Sequence, residues 1–144
     1  MRFTRASQTV AGTAVVAALA LSAATAVAKS FATPASSTYI RNVTQQDLTV
    51  AGSAAPWGKW TLRIKRNGLS LDAKGQGLVP ERASWTASKV TVSDTPGSIS
   101  IFCGASVKGA YTWRQSGSRL IFKLVKDTCK DRAGVLAGSW KRTG

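Results

Sequence analysis

Apolar and polar side chains alternate along most of this chain from Tyr39 onward, the period of a β-strand with one buried and one wet face. Trp60, Leu62 and Ile64 show the alternation clearly, and the Asn67-Gly68 pair that follows is a strong hairpin signal. Similar runs recur about every ten residues. Their apolar positions are Leu69, Leu71, Val90, Val92, Ile99, Ile101, Cys103, Tyr111, Trp113, Leu120, Phe122 and Leu124. The pattern predicts an all-β fold, a single antiparallel up-and-down β-barrel of about eight strands.

A few segments interrupt the alternation. Asp131 to Ala137 offers an Asp cap followed by a Gly138 stop, which predicts one short helical turn near the C-terminus. Residues 45–48 are the other stretch that could be helical, and the alternative is a turn between strands. Residues 80–82 read as a loop, and Asp94 is expected in a turn with the Pro96-Gly97 pair that follows it.

The first 28 residues have the pattern of a secretory signal peptide. Arg2 and Arg5 give a basic start, Val10 to Ala28 carries no charge, and Ala26-Val27-Ala28 suits cleavage before Lys29. The alternative is a membrane anchor, but the stretch is rich in Ala, so release and a secreted, extracellular product are favoured. The predicted division is a signal peptide over residues 1–28, a flexible lead-in over 29–38 and a β-barrel domain over 39–144.

The chain is strongly basic, with 20 Lys and Arg against 6 Asp and Glu and a formal net charge of +14. Only two basic residues precede position 29, so a mature chain keeps a formal charge of +12. Such a charge attracts polyanions, including anionic envelope polymers. The basic residues are scattered, which is typical of a solvated surface, and the aromatic-plus-basic signature of single-strand readers is missing. We expect a monomer with no specific nucleic-acid partner and no membrane span after cleavage.

The two cysteines, Cys103 and Cys129, both lie in the predicted domain. In an oxidising compartment, a disulfide between them is the default expectation. The alternative is a catalytic thiol, which needs an activating base. The chain has no histidine, so the disulfide is favoured.

The absence of histidine also excludes Ser-His-Asp and Cys-His catalysis and histidine-based metal sites. Six carboxylates remain, and nothing in their spacing favours the facing pair that a glycosidase needs. No phosphate-binding or dinucleotide fingerprint is present. We therefore expect no enzyme activity, no cofactor and no metal.

The segment from Asp127 to Arg132 joins a strand end, a disulfide anchor and a candidate ion pair. Asp127 and Arg132 either line a polar pocket at a barrel mouth or pair with each other around the bridge, and the structural role is favoured. The five tryptophans are the better functional lead, because each joins a large apolar body to one N–H group. Trp60, Trp113 and Trp140 suit the core, whereas Trp57 and Trp85 border loops and suit a pocket rim. The candidate ligand-binding set is Trp57, Trp85, Tyr111 and Trp113.

Gly58-Lys59-Trp60, at the start of the first clear strand, resembles the Gly-x-Trp motif of lipocalins and related calycin barrels. The segment from Gly109 to Arg142 is similar to small exported bacterial proteins of lipocalin-like type, mostly of unassigned function. The resemblance implies structural roles for Gly58, Trp60, Trp140 and Arg142, with the Arg142 guanidinium packed across the Trp60 ring as a cation–π contact.

These observations lead to two principal hypotheses. The first is a secreted barrel that binds a small apolar or amphipathic ligand in a lipocalin-like cavity, since an eight-stranded barrel can hold one small ligand. The second is a non-catalytic envelope- or protein-interaction module with a filled interior and a basic binding surface.

Overall fold

The computed structural model describes residues 33–74, 76–99 and 102–144, and the predicted signal peptide lies outside these residues. The elements are β1 (Thr38–Val43), α1 (Gln45–Ala51), β2 (Gly58–Lys65), β3 (Gly68–Ala73), β4 (Gly77–Trp85), β5 (Lys89–Asp94), β6 (Gly109–Ser116), β7 (Arg119–Lys126), α2 (Lys130–Leu136) and β8 (Gly138–Thr143). The strands form a closed antiparallel barrel in chain order, with β8 paired to β1. The predicted eight-stranded barrel and the helix near the C-terminus are confirmed.

Residues 45–48, for which the sequence allows a helix or a turn, open the helix α1. Thr44 and Asp47 form a reciprocal capping box, and Gly52 ends the helix in the left-handed conformation with φ 66°. The second helix begins at Lys130 with Cys129 as its N-cap, so Asp131 is not the cap that the sequence predicted.

Residues 80–82, expected in a loop, belong to strand β4. Pro80 lies opposite Ser70 in the β3–β4 ladder. It has no N–H to donate, but its carbonyl accepts the Thr95 N–H. Asp94 is the last residue of β5 rather than a turn residue. Ile99, expected in a strand, instead lies fully exposed in the β5–β6 connection, and Ile101 is outside the described residues.

The two ends of the barrel differ. At one, here called the helical end, lie the β1–β2, β3–β4, β5–β6 and β7–β8 connections and both helices. The helices pack closely at Gly134, where a Cβ would lie 3.0 Å from Ser53 Cβ and 3.1 Å from Leu48 Cδ2. The other, here called the turn end, carries the short β2–β3, β4–β5 and β6–β7 turns. Within the described ranges, neither helix has the length and apolar character needed to cross a membrane.

The barrel interior is occupied by its own side chains. Trp85 stacks edge-on to Trp113 with ring centroids 5.7 Å apart, and it lies 6.2 Å from Phe122. The buried hydrophobic side chains with no more than 1% exposure are Tyr39, Val43, Leu62, Leu71, Val90, Val92, Tyr111, Leu120, Phe122, Cys129, Val135, Leu136 and Trp140. A core of this kind gives the barrel its stability through apolar burial.

Candidate functional site

A buried charge cluster lies at the helical end of the barrel. Arg132, from α2, has a side chain of 0% exposure and faces three carboxyl groups. Its Nε donates to Asp127 Oδ2 at 2.8 Å, and its Nη1 lies 3.3 Å from Glu81 Oε2 and 3.7 Å from Asp94 Oδ1. Its Nη2 donates to the Val107 carbonyl at 2.9 Å. We call Arg132, Asp127, Glu81 and Asp94 the Arg132 cluster.

Within this cluster, Glu81 and Asp94 are direct partners across the β4–β5 ladder. Burial first, and then the hydrogen bond with Asp94, raise the pKa of Glu81 to about 9. Burial opposes ionisation of Asp94 too, but hydrogen bonds from Glu81 and from the Gly104 and Cys103 N–H groups hold its pKa below the usual value. At neutral pH, Glu81 is therefore the protonated partner and Asp94 the charged one.

Asp127 collects donors from three directions. Tyr111 Oη donates to its Oδ2 at 2.5 Å, and the Cys129 N–H donates to its Oδ1 at 2.8 Å. Gly109 makes room for it, because a Cβ at that position would overlap the Asp127 carboxylate. Burial, and then the bond to Asp127, raise the pKa of Tyr111. These hydrogen bonds fix the orientation of the Asp127 carboxylate.

The predicted disulfide is confirmed: Cys103 and Cys129 are bonded, with their Cα atoms 5.8 Å apart. It joins the β5–β6 connection to the N-cap of α2. Asp94 accepts the Cys103 N–H at 2.7 Å, so each half of the bridge is also held by a carboxylate of the Arg132 cluster. The disulfide and these hydrogen bonds stabilise the helical end. Because the side chains of Arg132, Glu81 and Asp94 are 0% exposed, they offer no surface to a solute.

The four candidate ligand-binding residues do not converge on one cavity. Trp57 lies in the β1–β2 connection at the helical end and is 72% exposed. Trp85 and Trp113 lie toward the turn end, where Trp113 Nε1 donates to the Thr86 carbonyl at 2.9 Å. Tyr111 is fully buried and committed to the Arg132 cluster.

The residues of the Gly-x-Trp resemblance also take separate positions. Gly58 has φ 120°, a conformation that favours glycine, and Trp60 Nε1 donates to the Pro56 carbonyl at 2.9 Å. Arg142 lies opposite Tyr39 in the β1–β8 ladder, whereas Trp60 lies opposite Arg41 in the β1–β2 ladder. The Arg142 guanidinium donates from Nε to Ser37 Oγ at 2.8 Å, away from the position that the resemblance implies for it.

Arg41 is the arginine that lies beside Trp60. Its Nη1 donates to the Val135 carbonyl at 2.8 Å and to the Ala137 carbonyl, and its Nη2 pairs with Asp47 at 2.9 Å. Nearby, Trp140 Nε1 donates to the Leu136 carbonyl at 2.9 Å. The indole N–H groups of Trp60 and Trp140 and the guanidinium of Arg41 thus bond the barrel strands to backbone carbonyls of the β1–β2 and β7–β8 connections at the helical end.

The outer wall of the barrel is basic on one continuous side. Strands β6, β7, β8, β1 and β2 are neighbours in the closed sheet, and together they contain ten basic residues and no acidic residue. We call their outward surface the basic face. Its outward cations are Lys59, Arg63, Lys65, Arg114, Arg119, Lys123 and Lys141.

The acidic residues of the chain do little to neutralise this face. Three belong to the Arg132 cluster, Asp47 pairs with Arg41, and Asp131 accepts from Ser53 Oγ at 2.9 Å. The sixth, Asp72, lies on β3 and approaches Arg63 at 3.8 Å. Within the described residues, the cations of the basic face are therefore largely uncompensated.

A shallow groove of about 370 Å³ lies within the basic face, across strands β2, β1, β8 and β7. Arg119 and Lys141 are direct partners in the β7–β8 ladder, and Lys59 lies at the other side of the groove. Like charges directly opposite one another destabilise a sheet. Asn42 and Ser139 add hydrogen-bonding groups to the lining, so the groove suits a ligand with several negative charges.

The scattered basic residues had indicated an ordinary solvated surface, and the basic face was missed on that account. Lys59 and Lys141 stand far apart in the sequence, but barrel closure brings β8 beside β1 and β1 beside β2. The alternation itself was the available signal, because Lys59, Arg63 and Lys65 of β2 and Arg119 and Lys123 of β7 fall on the polar phase of each strand.

Comparison of the chain with protein-family models, with curated proteins and with solved structures found no match.

Proposed function

We propose that this protein is an exported, non-catalytic binding module whose basic face binds an anionic polymer. The observation that carries the proposal is the run of five neighbouring strands that presents seven outward cations and contains no acidic residue. A repeating polyanion meets several of these cations at once and releases its counterions, which gives affinity without a deep pocket. The facing pair of Arg119 and Lys141 adds a repulsion that a bound anion relieves.

Export is part of the proposal. The signal-like pattern of residues 1–28 supports it, and the Cys103–Cys129 disulfide is compatible with an oxidising compartment. Envelope polymers rich in phosphate or carboxylate groups are the class of partner that a basic secreted module would meet.

The proposal is tested on immobilised polyphosphate. We expect retention that weakens steeply with added salt, because counterion release and screening both act on it. Arg119→Gln combined with Lys141→Gln should lower the affinity more strongly than Lys74→Gln combined with Arg82→Gln, a matched pair outside the five strands that removes the same charge. Equal losses from the two double variants would show that net charge alone acts, and binding indifferent to salt would eliminate the basic face as the site.

A small apolar ligand inside the barrel remains the other candidate. Closed barrels of eight strands are a fold that holds one small ligand in other proteins, which supports it. Entry would require the Trp85–Trp113 pair to separate, since these rings pack against each other at 5.7 Å. A titration with fatty acids that shifts the emission of the buried tryptophans would support this candidate, and no shift across a broad panel of lipophiles would remove it.

A further inference from the structure

The exposed apolar residues of the barrel are gathered at one end. In the described ranges, the large hydrophobic side chains with substantial exposure all lie in or beside the connections of the helical end. Val50 is in α1, Trp57 precedes β2, and Ile99 is in the β5–β6 connection. The complete set, which we call the apolar rim, is Val50, Trp57, Leu78, Ile99, Leu124 and Val125. Exposed apolar residues that are scattered singly over a surface need no explanation, but a group of them at one end of a protein marks an interaction site.

A ring of exposed lysines accompanies the apolar rim. Each of them lies within two residues of the point where a strand or helix begins or ends at the helical end, and they are Lys59, Lys74, Lys126 and Lys130. The acidic groups at this end are already bonded within the protein: Asp47 to Thr44 and Arg41, Asp131 to Ser53, and the others within the Arg132 cluster. The helical end is thus apolar and cationic at the same time.

We infer that the helical end docks on the surface of an anionic lipid bilayer. Apolar side chains gain free energy by entering the headgroup and acyl boundary, and an indole such as Trp57 favours that boundary because it is apolar with one polar N–H. Lysines around such an insertion attract anionic headgroups while their stems cover apolar surface. An anionic bilayer supplies both an apolar phase and negative charge, whereas a soluble polyanion supplies the charge alone.

The lysine ring argues against a second copy as the occupant. Two copies meeting through their helical ends would bring both sets of four lysines together, and the partly exposed acidic side chains there are already engaged, Asp47 with Arg41 and Asp131 with Ser53. The turn end provides an internal comparison, since it carries cations such as Lys65 and Arg66 but none of the apolar rim.

The experiment measures partitioning onto vesicles of phosphatidylcholine alone and of phosphatidylcholine with phosphatidylglycerol. Trp57 is the well-exposed indole, whereas Trp60, Trp113 and Trp140 are buried, so Trp57 reports on insertion. We expect its emission to shift to the blue with anionic vesicles only and to be quenched by brominated acyl chains. The Trp57→Leu variant should abolish both signals.

Two matched double variants locate the surface. Val50→Ser with Val125→Ser, both on exposed side chains, should reduce partitioning by about tenfold. Lys126→Gln with Lys130→Gln should reduce it by about fivefold per lysine, whereas Arg66→Gln with Lys89→Gln, two exposed turn-end cations outside the basic face, should change it by less than about twofold. An equal loss in the turn-end variant, an unshifted Trp57 emission, or lipid-free self-association blocked by Val50→Ser would each overturn the inference. Polyphosphate retention should survive the Val50/Val125 change, so this inference and the proposed function fail separately.

Discussion

Glu81 and Asp94 face each other across neighbouring strands inside the barrel, and one proton holds their carboxyl groups together. Glu81 Oε1 and Asp94 Oδ1 are both buried, and no N–H or hydroxyl group of the described residues donates to either atom. A proton on Glu81 satisfies both oxygens at once. It also leaves Arg132 opposite two charged carboxylates instead of three, which lowers the cost of burying the cluster.

The shared proton makes stability depend on pH. The pKa of Glu81 is about 9 in the folded protein against an ordinary 4.5, so between these values the folded state holds a proton that the unfolded chain has released. The free energy of unfolding should therefore be highest on the acidic side of this window and fall as pH rises, by up to about 1.4 kcal/mol per pH unit. Asp94 acts in the opposite sense, because its lowered pKa costs stability only as pH falls below about 3.8.

Urea unfolding across this window checks the prediction. Glu81→Gln should flatten the slope, because the amide supplies a donor to Asp94 without a proton that can be lost. The chain has no histidine, so no imidazole titrates within this window and adds to the pH dependence of unfolding. Asp72→Asn, on the outer wall, should keep the wild-type slope, and a wild-type profile that rises toward pH 9 would contradict the shared proton.

Arg132→Met should be among the most damaging single substitutions in the described chain. It leaves buried Asp127 and Asp94 without their cation, and removing one partner of a buried charge pair costs about 3–5 kcal/mol. Arg63→Met is the control, because its contact with Asp72 is exposed and such pairs contribute about 0–1 kcal/mol. Similar free energies of unfolding for both variants would refute the structural role of the cluster.

The tryptophans should separate sharply by position. Trp113→Ala removes a buried ring that packs against Trp85, and we expect a loss of about 3–5 kcal/mol. Trp57→Ala should stay within about 0.5 kcal/mol, since that side chain is mostly exposed. Equilibrium denaturation measures both, and a tolerant Trp113 would indicate a loosely packed interior that could admit a ligand.

The disulfide should contribute substantially to stability. Replacing Cys103 and Cys129 by Ser opens a loop with a sequence separation of 26, worth about 3.5 kcal/mol in the chain-entropy model. Denaturation of the double variant beside the oxidised protein gives this difference directly. A change below about 1 kcal/mol would mean that the Arg132 cluster alone holds the helical end.

Strand periodicity was enough to predict the barrel, because its turns and inward residues obey simple local rules. Trp60, Leu62 and Ile64 all point inward, and Gly68 begins the return strand as the Asn67-Gly68 signal implies. Residues 80–82 of strand β4 were expected in a loop because Pro and Glu are unusual in strands. The alternation of Val79, Glu81, Ala83 and Trp85 was nevertheless present in the sequence.

The candidate site was harder to predict because it depends on register and closure. Glu81 is neutral only because Asp94 lies opposite it, and that contact comes from strand pairing rather than from spacing along the chain. The basic face likewise exists only once β8 closes on β1. Apolar residues at the helical end could not be told from core residues by periodicity, and Ile99 is the clearest example.

Closure of the barrel through Thr38 and Thr143 has a practical consequence for engineering. These two residues are direct partners, so a short peptide linker could join the ends of β1 and β8 and a new opening could be cut at Asn67. Such a circular permutant would keep every strand pairing and would lose only the covalent connection between β2 and β3. That connection is a tight turn, a kind of site where chain breaks are well tolerated.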